Sequence, residues 1–203
     1  MSSAEEPSLV TVEDYLASEE LAPTKSEYID GWVRAMTGST NRHNRVVLNC
    51  IVRLFNRLEG RACQPYNSDN KLRIDQAQRK RYYYSDAQVV CESTNLLSVY
   101  QENPVLLIEV LSPSTRRCDL DEKMDAYLSI PSLECYLILE QHQPIAIVMR
   151  RSQGGFIREW VQGIERSIDL PFIGCSLAMR DIYQGVEFTD NCVQEPDPEY
   201  AEQ

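Results

Sequence analysis

Changes in the period of apolar residues along this chain mark out its elements. Between Asn41 and Leu58 the apolar positions Val47, Ile51, Leu54, Phe55 and Leu58 recur at steps of three and four, the stripe of an amphipathic helix, and Gly60 follows as a stop. A shorter helix is expected to begin at Thr11, where TVED offers the start of a capping box. SEYIDGWVRAMTG reads as two strands joined by a tight turn at Asp30 and Gly31. Short strands are expected over residues 62–66 and 71–74. YYYSDAQVVC, residues 82–91, is rich in aromatic and branched side chains and reads as one strand. PVLLIEVL, residues 104–111, reads as a strand buried on both faces, and Pro113 stops its ladder from continuing. A helix fits 119–129, ended by Pro131, and LECYLIL, PIAIVMR and GGFIREWVQ supply three further strands.

Helices interleaved with strands in this order imply an α/β fold: a mixed sheet with helices packed against it. The chain has 203 residues, which suits a single domain over 11–188, with loose acidic termini at 1–10 and 189–203. The opening MSSAEEPSLV has no apolar core of a signal peptide, and no apolar run approaches the roughly 20 residues of a membrane-spanning helix. Seven cysteines stand singly, without a CxxC pair, and only His43 and His142 could join them, which argues against structural zinc. Scattered thiols of this kind fit a reducing cytoplasm, where most are simply packed.

The formal net charge of -11 has the wrong sign for a broad nucleic-acid-binding face. Such binding would need a local basic cluster, and Arg79, Lys80 and Arg81, or Arg116 and Arg117, are the candidates. The alternative for both is an ordinary solvated surface.

One feature of the strands calls for chemistry. Glu109 lies in the middle of the most apolar run, and Asp86 is similarly embedded in YYYSDAQVV. An unpaired buried carboxylate costs several kcal/mol, so it must be neutralised, paired with a cation, or bound to a metal. If the two strands are neighbours, both carboxylates face one spot, and at 4 Å they would repel by about 4 kcal/mol at an effective dielectric near 20. A divalent cation would convert that repulsion into binding, and oxygen ligands favour Mg²⁺. Otherwise one carboxylate pairs with a nearby Lys or Arg and the other is exposed.

SEYIDGWVRAM, HNRVVLN, YYYSDAQVV and LLIEVLSPSTRRCDLDEKMDAYL, in that order, resemble the Uma2 family (DUF820), itself similar to the PD-(D/E)XK restriction-endonuclase-like nucleases. The resemblance implies a restriction-endonuclease-like core and a metal-dependent endonuclease hydrolysing phosphodiester bonds with Mg²⁺ or Mn²⁺. It implies nucleic acid, DNA ahead of RNA, as the partner. Asp86 matches the aspartate of the PD motif, with Ser85 in place of the proline, and Glu109 matches the second acidic residue. The family's strand lysine is absent, because that position is Leu111; the resemblance passes its role to Lys123 on the following helix. Asp119, Lys123 and Tyr127 are spaced to share one helical face, where Asp119 and Lys123 could equally form a plain surface ion pair. The resemblance also implies metal ligation by Asp86, Glu109 and the Val110 carbonyl, a site role for Glu27, which precedes the Asp30–Gly31 turn, and either phosphate contact or helix-start packing for His43. The departures at 85 and 111, with the acidic balance, keep open a catalytically inactive or weak module binding nucleic acid or protein. A homodimer is a further expectation.

Overall fold

The computed structural model describes residues 9–92 and 95–188, so the expected acidic tail and most of the expected N-terminal arm lie outside the described residues. Helix α1 (Val12–Leu21) begins where Thr11 caps it, its hydroxyl accepting from the Asp14 amide and donating to the Asp14 carboxylate. Strands β1 (Ser26–Ile29) and β2 (Trp32–Ala35) form the expected hairpin, with Asp30 and Gly31 both at positive φ, as a two-residue turn of this twist requires. Helix α2 (Asn41–Leu58) spans the expected stretch, capped by Thr40. Then come β3 (Gln64–Asn67), β4 (Lys71–Gln76), β5 (Arg79–Tyr83), β6 (Ala87–Val90), β7 (Tyr100–Gln101) and β8 (Pro104–Leu111). The second half holds α3 (Arg116–Leu120), α4 (Glu122–Leu128), β9 (Cys135–Glu140), β10 (Ile145–Ser152), β11 (Gly155–Gln162), β12 (Ser167–Leu170), β13 (Cys175–Ala178) and α5 (Met179–Ile182).

The strands form a six-stranded sheet in the order β11-β10-β9-β8-β6-β3, a five-stranded sheet in the order β2-β1-β5-β4-β7, and a β12–β13 pair. Both larger sheets are mixed, since β8 runs parallel to β9 and β4 parallel to β7. Strand β8 divides the core by alternation. Leu106, Ile108 and Val110 pack on the α2 side, while Leu107 and Leu111 belong to a second cluster with Met124, Tyr127 and Tyr136. Glu109 lies between Leu107 and Leu111 in that alternation and so projects toward α4.

Three elements differ from expectation, each for a local reason. Residues 82–91 are two strands: β5 belongs to the five-stranded sheet and β6 to the six-stranded one, and the chain passes between them at Tyr84, Ser85 and Asp86. The expected 119–129 helix is broken at Asp121, where the Tyr136 hydroxyl donates to the Asp119 carbonyl that Lys123 N–H would have used. Helix α2 is turned slightly from the expected stripe: it buries Val46, Val47, Cys50, Leu54 and Leu58, whereas Phe55 remains 59% exposed.

Cys63 and Cys91, expected as separate packed thiols, are joined in a disulfide. Antiparallel pairing of Gln64 with Val90 sets the two cysteines opposite each other one step further along the ladder. Disulfides persist mainly in oxidising compartments, so the redox state of this pair in the cell decides between such a setting and the reducing cytoplasm expected from the other thiols. The bridge spans a separation of 28 residues. Closing a loop of that length is worth about 3–4 kcal/mol through the unfolded chain. Denaturant unfolding with and without reductant should therefore differ by about that amount, and Cys63→Ser/Cys91→Ser should lose its sensitivity to reductant.

Candidate active site

The passage from β5 to β6 positions Asp86 beside β8, because Ala87 pairs with Ile108 and the next step brings Asp86 to Glu109. The two backbones and side chains interlock there. Asp86 Oδ2 accepts from the Val110 amide at 2.8 Å, and Glu109 Oε2 accepts from the Asp86 amide at 3.3 Å. The five-stranded sheet contributes Glu27 from β1, whose Oε1 accepts from the Tyr84 amide at 3.3 Å. The strand-to-strand crossing thus brings carboxylates from both sheets to one place.

Lys123 projects into this place from α4. Its Nζ lies 3.0 Å from Glu109 Oε1, 3.2 Å from Glu27 Oε1 and 3.5 Å from Asp119 Oδ1. All four side chains are buried, so Asp119 and Lys123 are not a surface pair. Tyr127 donates to the same Glu109 Oε1 at 2.9 Å, and Arg34 donates to Glu27 Oε2 at 2.7 Å while also pairing with Glu122.

Burial works to strip Lys123 of its proton, but Glu109, Glu27 and Asp119 outweigh it and hold the ammonium charged well above its ordinary range. Glu109 is shifted upward. Burial is the chief cause, the charges of Asp119 and Asp86 add to it, and Lys123 opposes it. Asp119 is raised too, again by burial first, against Lys123 and a hydrogen bond from Thr115. Carboxylates crowded in this way hold protons more readily than exposed ones, and a second cation would relieve them.

His43, at the first turn of α2, reaches the same centre. Its Nε2 is 3.1 Å from Asp86 Oδ2. Burial lowers its proton affinity, but hydrogen bonds to Asp86 and the Val110 backbone, together with the Asp86 and Asp119 charges, leave it raised. His43 thus touches the site through Asp86 while its backbone amide donates to Thr40 at the helix start.

Among the described residues, no group of three or more His, Cys, Asp or Glu side chains is placed to hold a metal ion by itself. The available donors are nonetheless hard oxygens. Asp86 is the least buried of these carboxylates, with 19% of its side chain exposed, and the buried Asp119 Oδ1 is met by Lys123 Nζ at 3.5 Å. Mg²⁺ is usually held by one or two carboxylates and several waters, so it is the ion that such a set fits.

Asp86, Glu109, Val110, Lys123 and Glu27 all converge here. The basic candidates are engaged with other partners or lie farther along β5. Arg81 is paired with Asp30, Arg116 with Glu140 and Arg117 with Asp121, and Arg79 and Lys80 lie at the far end of β5 from Asp86. Arg34 was missed from the sequence, though its signal was present. In a hairpin turning at Asp30 and Gly31 the partner of Glu27 must be residue 34, and an arginine opposite a strand glutamate is a ready ion pair.

This chain belongs to the Uma2 family, described as "Putative restriction endonuclease", whose model matches residues 12–180. The uncharacterized protein slr1290 of Synechocystis sp. is 33% identical over 178 residues, covering 87% of this chain and 92% of that protein. A second uncharacterized Synechocystis protein, sll1609, is 34% identical over 136 residues, 66% of this chain and 76% of its own. In fold, the chain matches a crystal structure from Anabaena variabilis described as "a putative nuclease belonging to DUF820", with a TM-score of 0.68 at 15% identity, over 86% of this chain and 97% of that one. The mixed-sheet, nuclease-like architecture is thereby established. Among the described residues no helix is long and apolar enough to cross a membrane.

Proposed function

We propose that residues 11–188 form a single domain that hydrolyses nucleic-acid phosphodiester bonds, DNA in preference to RNA, with Mg²⁺ or Mn²⁺ held by Asp86, Glu109 and the Val110 carbonyl, acting in the cytoplasm. The observation that carries the reading is Lys123 buried among Glu27, Glu109 and Asp119 beside the Asp86 carboxylate. A surface ion pair needs no such enclosure, and a purely structural core would be at least as stable with apolar residues in those positions. When bound, the divalent ion would polarise the scissile phosphate and lower the pKa of water.

The protein's own groups have distinct tasks. Hydrolysis forms one P–O bond from water and breaks another to the leaving alkoxide, which departs with a proton. Lys123 faces the charge that develops on the phosphoryl oxygens, as a compact cation with three donors. Tyr127 fixes the orientation of Glu109 through its hydroxyl, and Arg34 holds Glu27 in place. Glu27 is thus set to position a water near Lys123.

A second reading, a binding module without cleavage, is favoured by the engagement of Lys123 with carboxylates on every side and by Leu111 at the usual lysine position. Incubation with plasmid DNA and with a matched RNA separates the two. Cleavage is expected with Mg²⁺ or Mn²⁺, faster on DNA, absent in chelator, and reduced about a hundredfold or more in Asp86→Asn. Binding without any cleavage would establish the second reading, and undiminished cleavage in chelator would contradict metal dependence.

A further inference from the structure

The face of α2 turned away from the core carries a second pattern that the fold leaves unused. Leu48, Val52 and Phe55 are 52%, 45% and 59% exposed, although all are apolar. With Arg45 before them and Glu59 after them, both exposed, they recur at steps of three, four, three and four. That is the spacing of a helix-packing seam, repeated on the side opposite Val46, Cys50 and Leu54. The row is about 21 Å long. Its flank is held down, because Asn49 bonds the Ile182 and Gln184 carbonyls and Arg53 pairs with Asp181.

The ends of the row identify its occupant. Arg45 and Glu59 stand seven residues to either side of Val52, and among the described residues neither is ion-paired within the chain. Only an antiparallel copy of the same helix sets each charge against its opposite; a parallel copy would align like with like. We propose that this face of α2 is a homodimer interface in which two copies of the helix pack antiparallel about a two-fold axis near Val52. Val52 then meets its own copy once on the axis, while the pairs of Leu48 with the partner's Phe55 and of Arg45 with the partner's Glu59 each occur twice by symmetry. The apolar area is modest, so the dimer is a weak one at the small end of specific interfaces. His43 lies nine residues from Val52 on the same helix, which sets it about 14 Å from the centre of the row along the helix axis, with its side chain on the core side.

Sedimentation of the full chain over a range of concentrations tests this without reference to any activity. Wild-type protein is expected to pass from monomer to dimer with rising concentration, and Val52→Glu to remain monomeric. Arg45→Glu and Glu59→Arg should each raise the dimer dissociation constant by about tenfold or more, and the combined exchange should restore it. All substituted positions are exposed, and circular dichroism verifies folding; should Val52→Glu fail to fold, the charge exchange alone decides. A wild-type chain that stays monomeric, or a dimer indifferent to these changes, or an exchange that does not restore pairing, would overturn the proposal.

Discussion

Lys123→Ala should lower cleavage by about a hundredfold or more and, at neutral pH, destabilise the fold by about 3–5 kcal/mol. Both effects have one cause. The ammonium is the cation common to Glu109, Glu27 and Asp119, at 3.0, 3.2 and 3.5 Å, and all of them are buried. Removing one partner of a buried ion pair leaves an uncompensated charge, and here several carboxylates lose theirs together. Arg34 still reaches Glu27, but among the described residues Lys123 is the cation that pairs with Glu109. In a chain of this size such a loss lowers the melting temperature by roughly 10 °C.

The stability deficit should depend on pH in a definite direction. Glu109 and Asp119 already have raised proton affinities in the folded protein, and without Lys123 they rise further. A group whose folded pKa lies above its unfolded value contributes stability fully present below the unfolded pKa, and that contribution is lost as pH rises through the folded pKa. Lys123→Ala should therefore be closest to wild type below the ordinary carboxylate range and fall behind as pH climbs to neutrality. Thermal melts across that range measure it. Leu111→Lys in the same variant asks whether the chemical role can move. Leu111 shares its strand face with Glu109, so a lysine there should recover part of the cleavage; a Lys123→Ala protein cleaving at the wild-type rate would remove Lys123 from the chemistry.

The elements most legible in the sequence were those fixed by short-range physics. The α2 boundaries followed from the period and the Gly60 stop, the hairpin from Asp30 and Gly31, and β8 from its apolar run on either side of Glu109. What failed depended on distant partners. YYYSDAQVV has the composition of one strand, but its two halves pair with different sheets, which no local propensity reveals. The break at Asp121 depends on the hydroxyl of Tyr136, on the following strand. The exact face of α2 was misjudged because Phe55 looks like a core residue until Cys50 and Val46 are seen to fill the core side.

The site followed the same division. Glu109 was conspicuous as a charge in an apolar strand, and Lys123 and Asp119 were adjacent by helical spacing, yet their burial was invisible. Spacing fixes which side chains are neighbours, not whether water reaches them. The Cys63–Cys91 bridge was missed for a similar reason, since it depends on the pairing of β3 with β6.

The central claim is that Asp86 and Glu109 together bind a divalent cation. Their mutual influence is already present, for Asp86 helps to raise Glu109, and the neighbouring Asp119 adds to it. A doubly charged ion at this position would offset that repulsion, whereas Asp86→Asn/Glu109→Gln keeps the size of both side chains and removes the charge that attracts it. The Lys123→Ala protein should still bind, because the ammonium is not a ligand. Calorimetric titration of Mn²⁺ into wild-type protein and into the double variant, both checked for folding by circular dichroism, is the most direct measurement. A saturable site in the wild type that vanishes in Asp86→Asn/Glu109→Gln is the expected result; equal binding by the two proteins would contradict it.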